Sequence, residues 1–203
     1  MSTFHFHAGT EPLLISIPHA GTQIPDDIAC TMTPLAREVH DTDWHLDRLY
    51  GFAYEIGASV LSARLSRYVI DLNRPPDDAN LYPGQNTTGL CPVDTFDLRP
   101  LYETGHAPTP TEIERRRQAY WQPYHAQLRA ELDRLIAVHG RVLLWDAHSI
   151  RSVVPRFFEG TLPDLNFGTA SGASCAVGIS DALMRTAAQF PHYSHVLNGR
   201  FKG

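Results

Sequence analysis

Asp146 and His148 follow directly on Val142, Leu143, Leu144 and Trp145, so a carboxylate and an imidazole stand at the end of an uninterrupted apolar run. Either side chain can ligate a divalent metal or move a proton. A second histidine, His19, ends another apolar stretch, Leu13, Leu14, Ile15 and Ile17, and is trailed by Ala20, Gly21 and Thr22, small residues that let backbone or ligand come close. Acidic groups crowd the segment His40-Asp41-Thr42-Asp43-Trp44-His45, with Asp47 just beyond. Helix capping accounts for one of those aspartates and leaves the others over-supplied. Two imidazoles, one carboxylate and an open position form the donor set of catalytic zinc, so His19, His148 and one of Asp41 and Asp43 make a candidate mononuclear site. Zn2+ is the expected ion, with another divalent metal as the alternative. The bland reading of each histidine is a buried ring that is merely hydrogen-bonded.

The segment 64–74, Arg-Leu-Ser-Arg-Tyr-Val-Ile-Asp-Leu-Asn-Arg, is the second chemically loaded stretch. Tyr68, Val69 and Ile70 read as a strand, with Arg67 at its start and Asn73 and Arg74 past its end. Guanidinium forks match carboxylates, which suits an anionic small-molecule substrate. The plainer alternative is a salt bridge from Arg74 to Asp71, Asp77 or Asp78. Eleven histidines in 203 residues favour a nitrogen-ligated metal or a proton-transfer site without locating either, whereas a net charge of -5 without a Lys/Arg-dense block argues against a general nucleic-acid binder. Arg115, Arg116 and Arg117 follow Glu112 and Glu114 in a helical pattern and read as a solvated face. Three widely spaced cysteines suggest neither disulfides nor a thiolate metal site, so the cytoplasm is the expected compartment. No window approaches the length of a membrane span, and no membrane partner is expected. Oligomeric state leaves no signal in the pattern.

The elements that must carry these groups alternate. Strands are expected over 12–18, 58–63 and 142–145, the last buried on both faces, plus a short edge strand near the start with His5 and His7 on one side. Residues 35–57 read as two helical pieces with an apolar face of Trp44, Leu46, Leu49, Tyr50, Ala53 and Ile56. The loop 75–110 is long enough to cover a site. Thr109, Pro110 and Glu112 open a helix that runs to His139, stops at Gly140 and kinks near Pro123, with His125 and His139 in structural roles. A last helix over about 178–189 and a strand over 193–197 follow. The fold class is α/β: a three-layer α/β/α arrangement with a mostly parallel, mixed central sheet, in one domain over 1–203, with polar residues at the carboxyl ends of strands.

Seven blocks in one order carry a resemblance. They are Ser16-Ile17-Pro18-His19-Ala20-Gly21-Thr22, His40 to His45, Ser66-Arg67-Tyr68-Val69-Ile70-Asp71-Leu72-Asn73-Arg74-Pro75, Leu81-Tyr82-Pro83-Gly84, Trp145-Asp146-Ala147-His148-Ser149-Ile150, the run 162–169, and Asn198 to Gly203. Together they resemble the N-formylglutamate amidohydrolase (deformylase) family across essentially the whole chain. More distantly, the order of a strand-end histidine, Asp-Leu-Asn-Arg and Asp-x-His-Ser is similar to that of zinc carboxypeptidases and aspartoacylase, and implies a fold of that kind.

The resemblance implies hydrolysis of N-formyl-L-glutamate to glutamate and formate in histidine breakdown. It implies His19 and His148 as zinc ligands, Arg67 as oxyanion support, and Asn73 and Arg74 as the grip on a substrate carboxylate. Arg151, Arg156 and Arg200 are candidates for the second carboxylate. Thr22 stands where a His-x-x-Glu pattern would place a glutamate, so the carboxylate ligand comes from elsewhere, and Asp43 is preferred to Asp41. Similar chains continue past the equivalent of Gly203 to a strand bearing a glutamate general base, so this one is expected to be truncated at its C-terminus. A hydrolase of another N-acyl amino acid, or an inactive metal- or amino-acid-binding module, are the competing readings.

Overall fold

The computed structural model describes residues 2–79 and 87–203, so the block Leu81-Tyr82-Pro83-Gly84 lies outside the described residues. The chain forms two compact units, Met1–Ile150 and Arg151–Gly203. The first is built on a four-stranded mixed sheet of β1 (Phe4–His7), β2 (Leu13–Ile17), β3 (Ser59–Ala63) and β4 (Leu143–Asp146), in the order β1-β3-β2-β4. β2 pairs in parallel with both β3 and β4, and β1 lies antiparallel against β3. A mostly parallel sheet therefore puts the carboxyl ends of β2, β3 and β4 on one edge.

Each face of this sheet is covered. Helix formation from 110 onward starts where Thr109 accepts a hydrogen bond from the Glu112 N–H and proline occupies the first turn. After three one-turn or two-turn helices, α1 (Asp26–Ala29), α2 (Leu46–Leu49) and α3 (Pro110–Arg116), the chain passes through a π-helical turn, Arg117–Trp121, into α4 (Gln122–His139). That wide turn precedes Pro123, which lacks the N–H to continue a regular ladder. α4 ends on Gly140 at φ +68°, the left-handed cap that glycine takes without strain. Tyr124 and Leu135 of α4 pack with Leu14, Leu61 and Val69 in the larger core, while Ile15, Ile17 and Val60 on the opposite face pack with Leu46, Ala53 and Ala58. The second unit pairs β5 (Leu165–Phe167) with β6 (His195–Leu197) in parallel and carries α5 (Val177–Ala187).

Three expectations are corrected. β4 is an edge strand among the described residues, and Leu143 and Leu144 are 36% and 41% exposed rather than buried on both faces. Segment 35–57 supplies only single turns, and Trp44, Leu49 and Ile56 point outward, because its apolar spacing is helical while its buried residues are just Ala36, Val39, Leu46 and Ala53 beside the polar group 41–43. Tyr68, Val69 and Ile70 are buried, but in a turn closed by the Val69 N–H to Ser66 O bond, so burial rather than strand pairing explains their apolar character.

Candidate metal centre

Three loops at the carboxyl edge of the sheet carry the site. The loop after β2 crosses the segment after β3, with Gln23 N–H bonded to Arg64 O and Ser66 N–H to Gln23 O. Gly21 makes that crossing feasible: a Cβ there would lie 2.2 Å from Leu65 O. His19 is thereby brought against the 67–71 turn. The Asp43 N–H donates to His19 O at 3.0 Å, which ties the acidic segment to the same place. β4 ends beside β2, with the Ala147 N–H bonded to Ser16 O, and His148 follows.

His19, Asp43 and His148 converge, offering three ligand atoms that all lie within 4.8 Å of one another. Asp43 is almost completely buried, and its Oδ2 sits 3.0 Å from His148 Nδ1 and 3.6 Å from His19 Nδ1 while accepting the Ser149 N–H at 3.0 Å. Burial alone would raise the Asp43 carboxyl, yet His148 and His19 hold it well below the usual carboxylate range. Burial likewise opposes charge on His148, but the hydrogen bonds and charges of Asp146 and Asp43 outweigh it and push the imidazole up to about 10. His19 Nδ1 is buried with no hydrogen-bond partner. An orphaned ring nitrogen facing a carboxylate and a second imidazole is the arrangement a zinc-type ion would satisfy, so the donor set fits a metal.

The groups behind the three donors fix their direction. His19 Nε2 is 2.7 Å from Asp71 Oδ1, and Arg67 Nη2 donates to Asp71 Oδ2 at 2.7 Å. Burial would raise Asp71, but His19 and Arg67 hold it well below its ordinary value. Arg67 also approaches Asp43 Oδ1 at 3.8 Å and lies with its guanidinium 4.9 Å over the Phe96 ring. Asp41 faces elsewhere. Its Oδ2 accepts the Tyr68 hydroxyl at 2.7 Å and the Phe96 N–H at 2.8 Å, so of the two aspartates Asp43 is the one in the cluster.

The other expected residues are placed as follows. Asn73 is exposed just past the Asp71 turn, its N–H bonded to Asp71 Oδ1 at 2.9 Å. Arg74 is half-buried, with Nη2 3.4 Å from Thr88 Oγ1. Asp146 reaches His148 Nε2 at 3.1 Å. Arg151, Arg156 and Arg200 belong to the second compact unit, where Arg200 Nε donates to Phe157 O at 2.6 Å. His125 bonds Leu72 O and stacks on Trp121, and His139 bonds Thr10 O, both outside the cluster. The long loop contributes Phe96 to the site's wall. The sequence offers Asp71 only as a partner for Arg74; its place between two apolar residues, Ile70 and Leu72, is the sign that it is buried and paired.

The chain resembles known proteins in both sequence and fold. The chain is 52% identical over 198 residues to an N-formylglutamate deformylase of Pseudomonas putida, and 53% identical over 198 residues to one of Pseudomonas aeruginosa; each match covers 98% of this chain and 74% of the relative. A solved N-formylglutamate amidohydrolase from Ralstonia eutropha superposes with a TM-score of 0.85 at 25% identity, covering all of this chain and 79% of that one. A gene product of Agrobacterium tumefaciens shares the fold at a TM-score of 0.70 and 19% identity, covering 99% of this chain and 75% of that one. The family model for N-formylglutamate amidohydrolase matches residues 11–203, and the chain belongs to that family.

Proposed function

We propose that this chain hydrolyses N-formyl-L-glutamate to L-glutamate and formate with a divalent metal, zinc by preference, held by His19, Asp43 and His148. The observation that carries the reading is the convergence of those three donors beside Arg67, in a chain more than half identical to proteins named N-formylglutamate deformylase. A zinc ion held there supplies Lewis-acid polarisation of a carbonyl and acidification of water.

The chain's own residues do the rest. Asp71 and Asp146 accept from the Nε2 atoms of His19 and His148, so each ring presents Nδ1 toward Asp43. Arg67, already poised between Asp71 and Asp43, donates to the formyl oxygen as it becomes anionic, and burial strengthens that interaction. Asn73 and Arg74 hold a substrate carboxylate, the planar guanidinium supplying two parallel donors. A reducing, cytoplasmic setting goes with this reading and is supported by free thiols at Cys30, Cys91 and Cys175. No helix among the described residues is long and apolar enough to cross a membrane.

The test is formate release from N-formyl-L-glutamate by this chain, with and without zinc, beside His148→Ala and with formyl-aspartate and acetyl-glutamate as comparison substrates. Zinc-dependent turnover of formyl-glutamate that is lost in the variant is expected. Preference for either comparison substrate overturns the substrate assignment, and turnover untouched by metal removal overturns the metal.

A further inference from the structure

Behind the donors, a line of hydrogen bonds runs from α4 through β2 to His148. Tyr124 Oη lies 3.0 Å from Ser16 Oγ, Ser16 Oγ donates to Asp146 Oδ1 at 2.7 Å, and Asp146 Oδ2 lies 3.1 Å from His148 Nε2. Ser16 and Asp146 are register partners across the parallel β2–β4 pairing, so the contact is built into the sheet. A serine hydroxyl has one proton. Because that proton goes to the carboxylate, Ser16 offers Tyr124 only a lone pair, and the phenol donates; its longer approach to Leu61 O, 3.4 Å, competes weakly for the same proton.

Donation therefore runs from Tyr124 to Ser16 to Asp146, and the same carboxylate accepts the Nε2–H of His148 on its other oxygen. Ser16 and Tyr124 are 3% and 1% exposed, so neither hydroxyl is there for solvent. Alanine and phenylalanine would fill nearly the same space without two buried polar groups to satisfy. What the hydroxyls add is a fixed position for Asp146, whose side chain is 38% exposed and is held from within the sheet by Ser16.

We infer that Ser16 and Tyr124 are positioning residues that act through Asp146 to hold His148 with Nδ1 directed at Asp43. This rests on the metal-dependent reading and adds two residues to it, one on β2 and one on α4. The pair does not touch substrate.

The experiment compares wild type, Ser16→Ala, Ser16→Thr and Tyr124→Phe as whole chains. Zinc affinity is read by competition with a chromophoric chelator, thermal stability is followed alongside, and the His148 ring nitrogens of the zinc-loaded chain are read by long-range ¹H–¹⁵N correlation. Ser16→Ala is expected to weaken zinc binding by about tenfold, the lower end for groups that orient a ligand, and to shift the His148 Nε2 signal. Tyr124→Phe is expected to show a smaller loss, and Ser16→Thr, which keeps the hydroxyl, to stay within about threefold of wild type. A folded Ser16→Ala chain with wild-type zinc affinity and unchanged His148 nitrogens overturns the inference, as does equal weakening by Ser16→Ala and Ser16→Thr. If Ser16→Ala does not fold, unchanged affinity in Tyr124→Phe overturns it. Absence of zinc binding by wild type removes the metal centre itself, and this inference with it.

Discussion

Replacing Asp71 by asparagine keeps the side-chain shape and removes a charge that three groups use. The carboxylate is 1% exposed and accepts from Arg67 Nη2, from the Asn73 N–H and from His19 Nε2. An asparagine offers one oxygen and turns a donor toward whichever partner loses it. Arg67, 11% exposed, is then left with Asp43 at 3.8 Å as its nearest carboxylate among the ion pairs. Removing one partner of a buried pair costs about 3–5 kcal/mol; the remaining approach to Asp43 lowers the expectation to roughly 2–4 kcal/mol at neutral pH. The pH dependence has a definite sign. In the folded chain burial pushes Asp71 up, but His19 and Arg67 pull it further down, to well below its ordinary value. Its contribution is therefore complete above the unfolded-state value near pH 4 and drains away as the pH falls below it. Urea unfolding of the metal-free chains at neutral pH and at about pH 3 reads both effects, with the gap between wild type and variant narrowing in acid. Chelator competition should show zinc held about 10–100-fold more weakly by the variant. A gap below about 1 kcal/mol at neutral pH, or one that does not narrow in acid, refutes the account of Asp71 as a buried charge partner.

Zinc uptake near pH 8 should release about one proton, because His148 is held up to about 10 in the metal-free chain whereas Asp43 is already ionised. Calorimetry in buffers of different ionisation enthalpy measures this, and a buffer-independent heat contradicts it. The two arginines should separate kinetically. Arg74→Ala raises KM for N-formyl-L-glutamate by about 10–100-fold with kcat little changed, whereas Arg67→Ala lowers kcat by about 10²–10³ with zinc retained. Steady-state kinetics that move the same parameter in both variants refute the division of roles.

The sequence revealed the elements whose pattern is local and hid those whose meaning is set by distant contacts. β2, apolar apart from Ser16, and the capped helix start at Thr109 fell where the residues placed them, because burial and capping act within a few positions. His19, Asp43 and His148 were readable as a donor set, with Asp43 preferred to Asp41, and the physical reason for that preference lies in Tyr68 and Phe96, which claim Asp41. The hold of Asp71 on His19 and the roles of Ser16 and Tyr124 could not be read, since those partners lie 52, 130 and 108 residues away. Segment 35–57 misled for the opposite reason: its apolar side chains fit a helical face, but its backbone is committed to delivering Asp43, and several of those side chains stay outside.

The spacing of the three donors along the chain also sets when the centre can exist. Asp43 and His148 are 105 residues apart, and His148 reaches its place only after β4 has joined β2. During synthesis the first half of the chain therefore emerges with His19, Arg67 and Asp71 but with one imidazole missing. Pairing across so long a separation is slow to nucleate, since the entropy of closing the intervening chain is lost before the contacts form. For the proposed metal centre, the donor set is thus completed late in the life of each molecule, and an ion encountered earlier would meet an incomplete set of donors.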